Sequence, residues 1–150
     1  MISEAGTPLI SDPGHKLVMA CIQHQIQVIP VPGPSALLAA LVASGLPTDR
    51  FVFEGFLPKK KGRKTRLEFL SNEPGTIIIY ESANRIQKTL EDIVKILGNR
   101  YIVLARELTK KFEEFIRGYA LDILTQLSSR RLKGEIVLLI GGTAFKHDKK

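Results

Sequence analysis

The stretch that decides the fold class is "TIIIYESANRIQKTLEDIVKILGNRYIVLAR", Thr76–Arg106. It begins with a short run of β-branched apolar residues, typical of a buried strand, and it ends with a second such run, "YIVLAR". Between these runs, apolar side chains recur at the spacing of one helix face, and Gly98 follows as a helix stop; they are Ile86, Leu90, Ile93, Val94 and Leu97. A strand, a helix and another strand in this order predict an α/β fold.

The same alternation extends along the chain in both directions. We predict strands over residues 26–31, 51–55, 76–81, 101–106, 112–118 and 135–141. We predict helices over residues 14–25, 34–44, 64–72, 84–97 and 121–129. Because the strand at 112–118 follows its predecessor too closely for a helical crossover, the sheet of the second part should be mixed.

The segment "GLPTDR", residues 45–50, breaks this pattern and predicts a domain boundary. Residues 1–48 hold two helices and one strand, which cannot form a sheet with its own core. We therefore expect residues 1–48 to be the C-terminal part of a first domain that is incomplete in this chain. Residues 49–145 should form a complete second α/β domain, followed by a basic tail at 146–150.

Charge is distributed unevenly between these two parts. Residues 1–48 hold one basic and two acidic side chains, whereas residues 49–150 hold 21 basic and 13 acidic ones, a net charge of +8. The densest run is "PKKKGRKTR", with the cations Lys59, Lys60, Lys61, Arg63, Lys64 and Arg66. Such a run is commonly a solvated loop, but Phe56–Pro58 and a predicted helix flank it on either side, which indicates a phosphate-rich partner.

Several classes of protein are excluded or disfavoured by composition. No apolar run is long enough to span a bilayer, and no secretion signal is visible. The single cysteine, Cys21, cannot form an internal disulfide, which fits a cytoplasmic protein. The three histidines lack carboxylate or thiol partners at metal-ligand spacing, so we expect no metal.

Residues with functional potential follow three of the predicted strands. The turn Pro32–Ser35 precedes a helix, Glu81 and Ser82 follow the strand at 76–80, and Arg106–Thr109 follow the strand at 101–105. Ligands of open α/β sheets bind beyond the carboxyl ends of the strands. Each feature alone is also compatible with an ordinary turn or a structural ion pair.

Taken together, four stretches resemble one known family. They are "SEAGTPLISDPG" (Ser3–Gly14), "LPTDRFVFEGFLPKKKG" (Leu46–Gly62), "IIIYESANRI" (Ile77–Ile86) and "ARELTKKFEE" (Ala105–Glu114). In this order they resemble the tetrapyrrole methylase superfamily, and within it the group of small-subunit ribosomal RNA methyltransferases I. The resemblance implies two α/β domains with S-adenosylmethionine in the cleft between them, usually in a homodimer. It also implies an N-terminally truncated chain, because the family's first glycine-rich loop has no counterpart here.

The resemblance implies a set of cofactor-binding residues in both domains. The matching positions are Ala5, Gly6, Thr7, Ile10, Ser35, Ala36, Tyr80, Glu81, Ser82 and Leu108. It implies 2′-O-methylation of a cytidine in the decoding region of 16S rRNA, with naked RNA or the assembled small subunit as the substrate. We expect the basic run Lys59–Arg66 to contact RNA phosphates. The candidates for accepting the ribose proton are Glu81, Glu107 and Lys110.

Two other functions remain open from the sequence. The same fold could methylate a tetrapyrrole or another small substrate, although such a substrate gives no reason for six clustered cations. The chain could also be a non-catalytic RNA-binding fragment without a complete cofactor site. Cofactor binding and methyl transfer distinguish these alternatives.

Overall fold

A computed structural model of the chain describes residues 1–147. The chain divides into two compact units, Met1–Ala36 and the remainder from Leu37 onward. Residues 148–150 of the expected basic tail lie outside the described residues. Of the rest of that tail, His147 stacks on the ring of Tyr101 at a centroid distance of 4.1 Å.

The first unit contains helix α1 (His15–Gln23), where a helix was predicted. No side chain of this helix is fully buried, and Leu17 and Ile22 are more than half exposed. The strand predicted at 26–31 is wrong, since these residues join no sheet among the described residues. A strand is held by hydrogen bonds to a neighbour, and unit 1 offers residues 26–31 no extended partner.

The second unit contains the predicted five strands. They are β1 (Phe51–Phe56), β2 (Thr76–Ser82), β3 (Tyr101–Arg106), β4 (Glu114–Tyr119) and β5 (Glu135–Ile140). Their order in the sheet is β1-β2-β5-β3-β4. The β1–β2 pair is parallel and the other three pairs are antiparallel, so the prediction of a mixed sheet is confirmed.

Helices cover both faces of this sheet. The first face packs against α3 (Arg63–Leu70), α4 (Ile86–Leu97) and α5 (Ala120–Ser128), at the positions predicted for helices. The amphipathic pattern of α4 is confirmed, with Ile86, Leu90, Ile93 and Leu97 buried. Nearly all side chains on this face are aliphatic, which makes it the principal core.

The second face packs against α2 (Ala36–Ser44). Leu37, Ala40 and Leu41 share a core with Ile78 and Val103 of the sheet. Arg117 of β4 fixes the far end of the helix by donating to the carbonyl oxygens of Ala43 (2.6 Å) and Ser44 (3.2 Å). A cation at this position donates hydrogen bonds to the backbone carbonyls that have no partner within the helix.

The compact units divide after Ala36, about twelve residues before the domain boundary that we predict near residue 48, and that domain boundary stays a prediction. The physical reason is the burial of α2, whose apolar side chains need the face of the sheet. Whether residues 1–48 form one domain in a longer protein stays a prediction. Among residues 1–147, no helix has the length and apolar character to cross a bilayer.

Candidate functional site

The carboxyl ends of three strands lie at one edge of the sheet in the second unit. Strands β1 and β2 are parallel, and β3 runs in the same direction as β2 because both are antiparallel to β5. This edge therefore brings together the segments that follow β1, β2 and β3. They carry the basic run, the predicted residues Tyr80–Ser82 and the predicted Leu108, and such an edge is the usual ligand site of an α/β sheet.

Tyr80 and Leu108 lie on the face of the sheet that α2 covers. The Tyr80 ring packs edge-on against the Phe53 ring, with 4.9 Å between the ring centroids. The hydroxyl oxygen of Tyr80 accepts the N–H of Leu37 at 3.2 Å. Burial raises the pKa of Tyr80, and the bond from Leu37 opposes this shift. The two predicted residues thus form a half-buried, largely apolar wall.

Glu81 faces the opposite side of the sheet, because successive side chains of a strand alternate. Only 2% of the residue is exposed. Its Oε1 accepts the N–H of Ser82 at 2.9 Å and lies 3.4 Å from Nε of Arg85. Its Oε2 accepts the hydroxyl of Thr89 at 2.7 Å. The structure therefore separates the Glu81 carboxylate from the wall formed by Tyr80 and Leu108.

The loop after β3 has an unusual backbone. Glu107 and Thr109 have φ angles of 50° and 63°, in the left-handed region that side chains with a Cβ rarely occupy. Nζ of Lys110 lies 3.4 Å from Oε1 of Glu107, and the Lys110 side chain is 55% exposed. The candidate proton acceptors Glu107 and Lys110 are therefore paired with each other, while Leu108 lies between the two strained residues.

The first unit brings its own two predicted cofactor segments together. The hydroxyl of Thr7 donates to the carbonyl oxygen of Pro34 at 2.8 Å, which joins the Ala5–Thr7 loop to the turn before Ser35 and Ala36. Gly6 has a φ of 73°, and Ile10 is partly exposed.

Backbone strain is concentrated in the predicted cofactor loops. Among residues 1–147, five non-glycine residues have positive φ, and Leu9, Ser11, Glu107 and Thr109 are four of them. All four lie within or next to segments that the sequence predicts to bind the cofactor. Strain of this kind persists where the surroundings enforce it and is enriched at functional sites.

The six cations of the basic run differ in accessibility. Lys59, Lys60 and Lys61 are exposed and form no ion pair among the described residues. Lys64 is exposed and lies 3.5 Å from Glu68. These four lysines are available to a phosphate-rich partner.

Two of the six cations, Arg63 and Arg66, already bind other side chains of the protein, and their contact with phosphates stays a prediction. Arg63 is only 9% exposed and donates to Asp92, Thr89 and the carbonyl of Pro58. Arg66 binds Glu54 through both Nε and Nη2, and this hydrogen-bonded pair raises the pKa of the Arg66 guanidinium.

The spacing of Arg63 relative to apolar residues indicates that its side chain is buried, although the neighbouring cations suggest an exposed residue. Arg63 stands four and seven residues before Leu67 and Leu70, which places all three on one helix face. Thr89 likewise lies on the apolar face of α4, between Ile86 and Leu90. Such spacing identifies a polar residue that is buried with partners.

A cavity of about 320 Å³ lies at the opposite end of the sheet. It is lined by Arg100, Tyr101, Phe145 and His147, among others, and holds none of the predicted site residues. Arg100 donates to three carbonyl oxygens, those of Leu97, Gly141 and Ser71, and so is committed to the fold. Among residues 1–147, no cluster of three or more His, Cys, Asp or Glu is arranged to hold a metal.

Relatives with known names resemble this chain closely. The ribosomal RNA small subunit methyltransferase I of Escherichia coli O157:H7 is 50% identical over 146 residues, which cover 95% of this chain and 51% of that protein. The chain thus spans about half the length of the curated relatives that it matches.

Solved structures share the fold at lower identity. The methyltransferase CobJ gives a TM-score of 0.67 at 21% identity, covering 96% of this chain and 64% of CobJ. A uroporphyrin-III C-methyltransferase from Thermus thermophilus, complexed with S-adenosyl homocysteine, gives 0.56 at 19% identity, covering 93% of this chain and 63% of that one. The family model of the Tetrapyrrole (Corrin/Porphyrin) Methylases matches residues 1–123. The chain therefore belongs to the tetrapyrrole methylase family.

Proposed function

We propose that this chain carries part of the machinery of an S-adenosylmethionine-dependent methyltransferase that acts on small-subunit ribosomal RNA. The finer proposal is methylation of the ribose 2′-hydroxyl of a cytidine in the decoding region of 16S rRNA. The observation that carries the proposal is the edge of the sheet at the carboxyl ends of β1, β2 and β3. This edge holds both a half-buried wall at Tyr80 and Leu108 and a run of unpaired lysines.

The residues of this edge fit the proposed cofactor. Tyr80, Phe53 and Leu108 offer aromatic and aliphatic surface to an adenosine group. The backbone N–H of Leu108 donates to no acceptor within residues 1–147. It is therefore available to a nitrogen of the adenine ring. We also propose Ala5, Gly6, Thr7, Ile10, Ser35 and Ala36 as cofactor-binding residues, together with Ser82 at the end of β2.

The chemistry demands little beyond accurate positioning. S-adenosylmethionine supplies a methyl group that is already activated for transfer to an oxygen nucleophile. The protein has to hold the hydroxyl oxygen at attack distance, which at best contributes about 7–11 kcal/mol. In this transfer the ribose hydroxyl would give up its proton, and S-adenosylhomocysteine would remain after the methyl group has left its sulfur. Glu107 is the candidate at this edge for receiving it, because both oxygens of Glu81 are occupied and Lys110 is the cationic partner of Glu107.

The exposed lysines would bind the RNA backbone. Lys59, Lys60, Lys61 and Lys64 precede or begin α3, at the same edge as the proposed wall. Cations of this kind neutralise phosphates and release counterions, so the affinity should fall steeply with salt. Such contacts position the RNA and do not read its sequence. The proposal includes a homodimer and a cytoplasmic location.

Two measurements test the proposal. Because the chain spans about half the length of its relatives, we expect it to bind S-adenosylhomocysteine weakly or not at all in a calorimetric titration. In a longer protein that contains this chain and binds the cofactor, Gly6→Val should weaken the binding, because a β-branched residue is strained at a φ of 73°. Transfer of labelled methyl groups to 16S rRNA should then protect one phosphodiester from alkaline cleavage, since that cleavage requires a free 2′-hydroxyl.

Other outcomes would favour the alternative functions. Cofactor binding with methyl transfer to a tetrapyrrole, and none to RNA, would refute the RNA substrate. Salt-dependent RNA binding without cofactor binding in the longer protein would indicate a non-catalytic RNA-binding unit. Light scattering tests the homodimer, which a monomeric mass at all concentrations would contradict.

A further inference from the structure

The backbone immediately before the exposed lysines is held by two arginines. The carbonyl oxygen of Leu57 accepts Nη2 of Arg85 at 3.0 Å. The carbonyl oxygen of the next residue, Pro58, accepts Nη1 of Arg63 at 3.3 Å. The lysine run begins at the following residue. Its starting direction is therefore fixed by guanidinium groups from two helix ends, and neither group belongs to the exposed part of the run.

Both arginines are connected to the carboxylate of Glu81, one directly and one through a hydroxyl group. Arg85 approaches Oε1 of Glu81 directly, at 3.4 Å. Arg63 reaches it through one hydroxyl: Nη2 donates to Oγ1 of Thr89 at 2.8 Å, and that hydroxyl donates to Oε2 of Glu81 at 2.7 Å. We call Glu81, Thr89, Arg63 and Arg85 the Glu81 network. Thr89 is fully buried, with no surface exposed to solvent.

A network of this kind is not required for packing alone. Buried charges lose hydration, and an apolar replacement of equal volume is often at least as stable. Its distinctive property is geometric, because each hydrogen bond fixes the direction of its partner. Here the fixed elements are the end of β2, which carries Ser82, and the Leu57–Pro58 segment, which directs the lysines.

We propose that Glu81 is a positioning residue that holds the lysine run in register with the end of β2. The inference rests on the proposed function, because it takes the lysines to be the RNA-binding surface. A preordered loop binds with a smaller loss of conformational entropy than a mobile one. It also keeps several lysines within reach of phosphates at once. Loosening the network should therefore reduce the number of phosphates that are neutralised.

The salt dependence of RNA binding measures that number. For a single strand, the slope of log affinity against log salt changes by about 0.7 for each neutralised phosphate. Thr89→Val removes the hydroxyl and leaves every charge in place. We expect it to weaken binding of a single-stranded 16S rRNA oligonucleotide about three- to tenfold in low salt and to reduce the magnitude of the slope by about 0.7–1.4, which corresponds to one or two phosphates. Thr89→Ser should restore both values.

A matched control separates positioning from stability. Ile123→Val lies in the same core, on α5, and touches no member of the network by hydrogen bonding. It should lower the melting temperature and leave the salt slope unchanged. If Thr89→Val does not fold, Thr89→Ala makes the same comparison, since it also removes the hydroxyl and leaves every charge in place.

The outcomes separate this inference from the proposed function. If the unchanged chain binds RNA without salt dependence, or not at all, the RNA-binding role of the lysines is refuted and the positioning role is refuted with it. If the unchanged chain binds as expected and Thr89→Val retains its affinity and slope, only the positioning role is refuted. An equal change of slope in Ile123→Val would also refute it, because the effect would then follow general stability.

Discussion

Replacing Arg63 with alanine should destabilise the second unit strongly, although the residue stands in a run of surface cations. The guanidinium is bound on three sides, by Asp92 at 2.8 Å, Thr89 at 2.8 Å and the Pro58 carbonyl at 3.3 Å. Its side chain is 10% exposed. Arg63→Ala removes these three bonds, so Asp92 and Thr89 each lose their hydrogen bond to the guanidinium.

The size of the destabilisation depends on the bonds that Asp92 and Thr89 keep in the Arg63→Ala variant. Removing one member of a buried ion pair costs about 3–5 kcal/mol when the other charge is left uncompensated. Asp92 retains Lys88, whose Nζ lies 3.1 Å from Oδ1, and the Thr89 hydroxyl still donates to Glu81. These residual bonds place the destabilisation at the lower limit, about 3 kcal/mol. A domain of this size has about 5–15 kcal/mol in total, so the variant should still fold.

Urea denaturation followed by circular dichroism measures this destabilisation. The midpoint should fall in Arg63→Ala with an unchanged m-value, while Lys60→Ala and Lys61→Ala, matched cations from the same run, should shift the free energy of unfolding by less than about 0.5 kcal/mol. A destabilisation below about 1 kcal/mol in Arg63→Ala would refute the reasoning. It would mean that the guanidinium is solvated and belongs with the exposed lysines.

Three further predictions follow from the same structure. Gly142→Ala should lower the melting temperature, because a Cβ there would overlap the carbonyl oxygens of Pro74 and Gly75, whereas Gly45→Ala meets open space and should cost only about 1–2 kcal/mol for its positive φ. Burial raises the pKa of Asp92, but hydrogen bonds from Arg63 and Lys88 outweigh it and hold the pKa below its usual value, so stability present above about pH 4 should be lost on acidification. Asp92→Asn should make that acid-induced destabilisation shallower in denaturation curves measured from about pH 6 to about pH 2, and an unchanged slope would contradict the assignment. Limited proteolysis should cut within residues 24–34, which are exposed and outside the helices, and should spare α2; a stable product starting near residue 49 would contradict this boundary.

The fold of the second unit could be predicted from the sequence because local and long-range signals agree there. The residues Ile77–Ile79 form a β-branched apolar run, the residues Ile86–Leu97 show a clear helical periodicity, and both elements form where the sequence predicts them. The segment at 26–31 shows why this reasoning has limits. Its apolar residues favour a strand, but a strand also requires a hydrogen-bonded neighbour, and no local pattern indicates whether one is present.

The sequence places Tyr80 and Leu108 at the carboxyl ends of predicted strands, where ligands of α/β sheets bind, and the parallel pairing of β1 and β2 brings the basic run to the same edge. That Tyr80 and Leu108 bind the cofactor is implied by the family resemblance and stays a prediction. The roles of Glu81 and Arg63 were not predictable in this way. The sequence shows both only as charged residues near a proposed ligand, and the three-dimensional contacts alone show that each is committed to partners inside the protein.

The intramolecular contacts of Arg63 and Arg66 change how many cations of the basic run can bind phosphates. Counting the cations of "PKKKGRKTR" suggests that six phosphates could be neutralised, but Arg63 is buried and Arg66 is neutralised by Glu54. Four lysines remain, and an upper limit of four neutralised phosphates corresponds to a salt slope of about 2.8 in magnitude for single-stranded RNA. A measured slope well above that value would require cations from outside the run. Arg63 and Arg85 hold the backbone immediately before the lysines, and we expect the lysines to determine how strongly the edge attracts a polyanion.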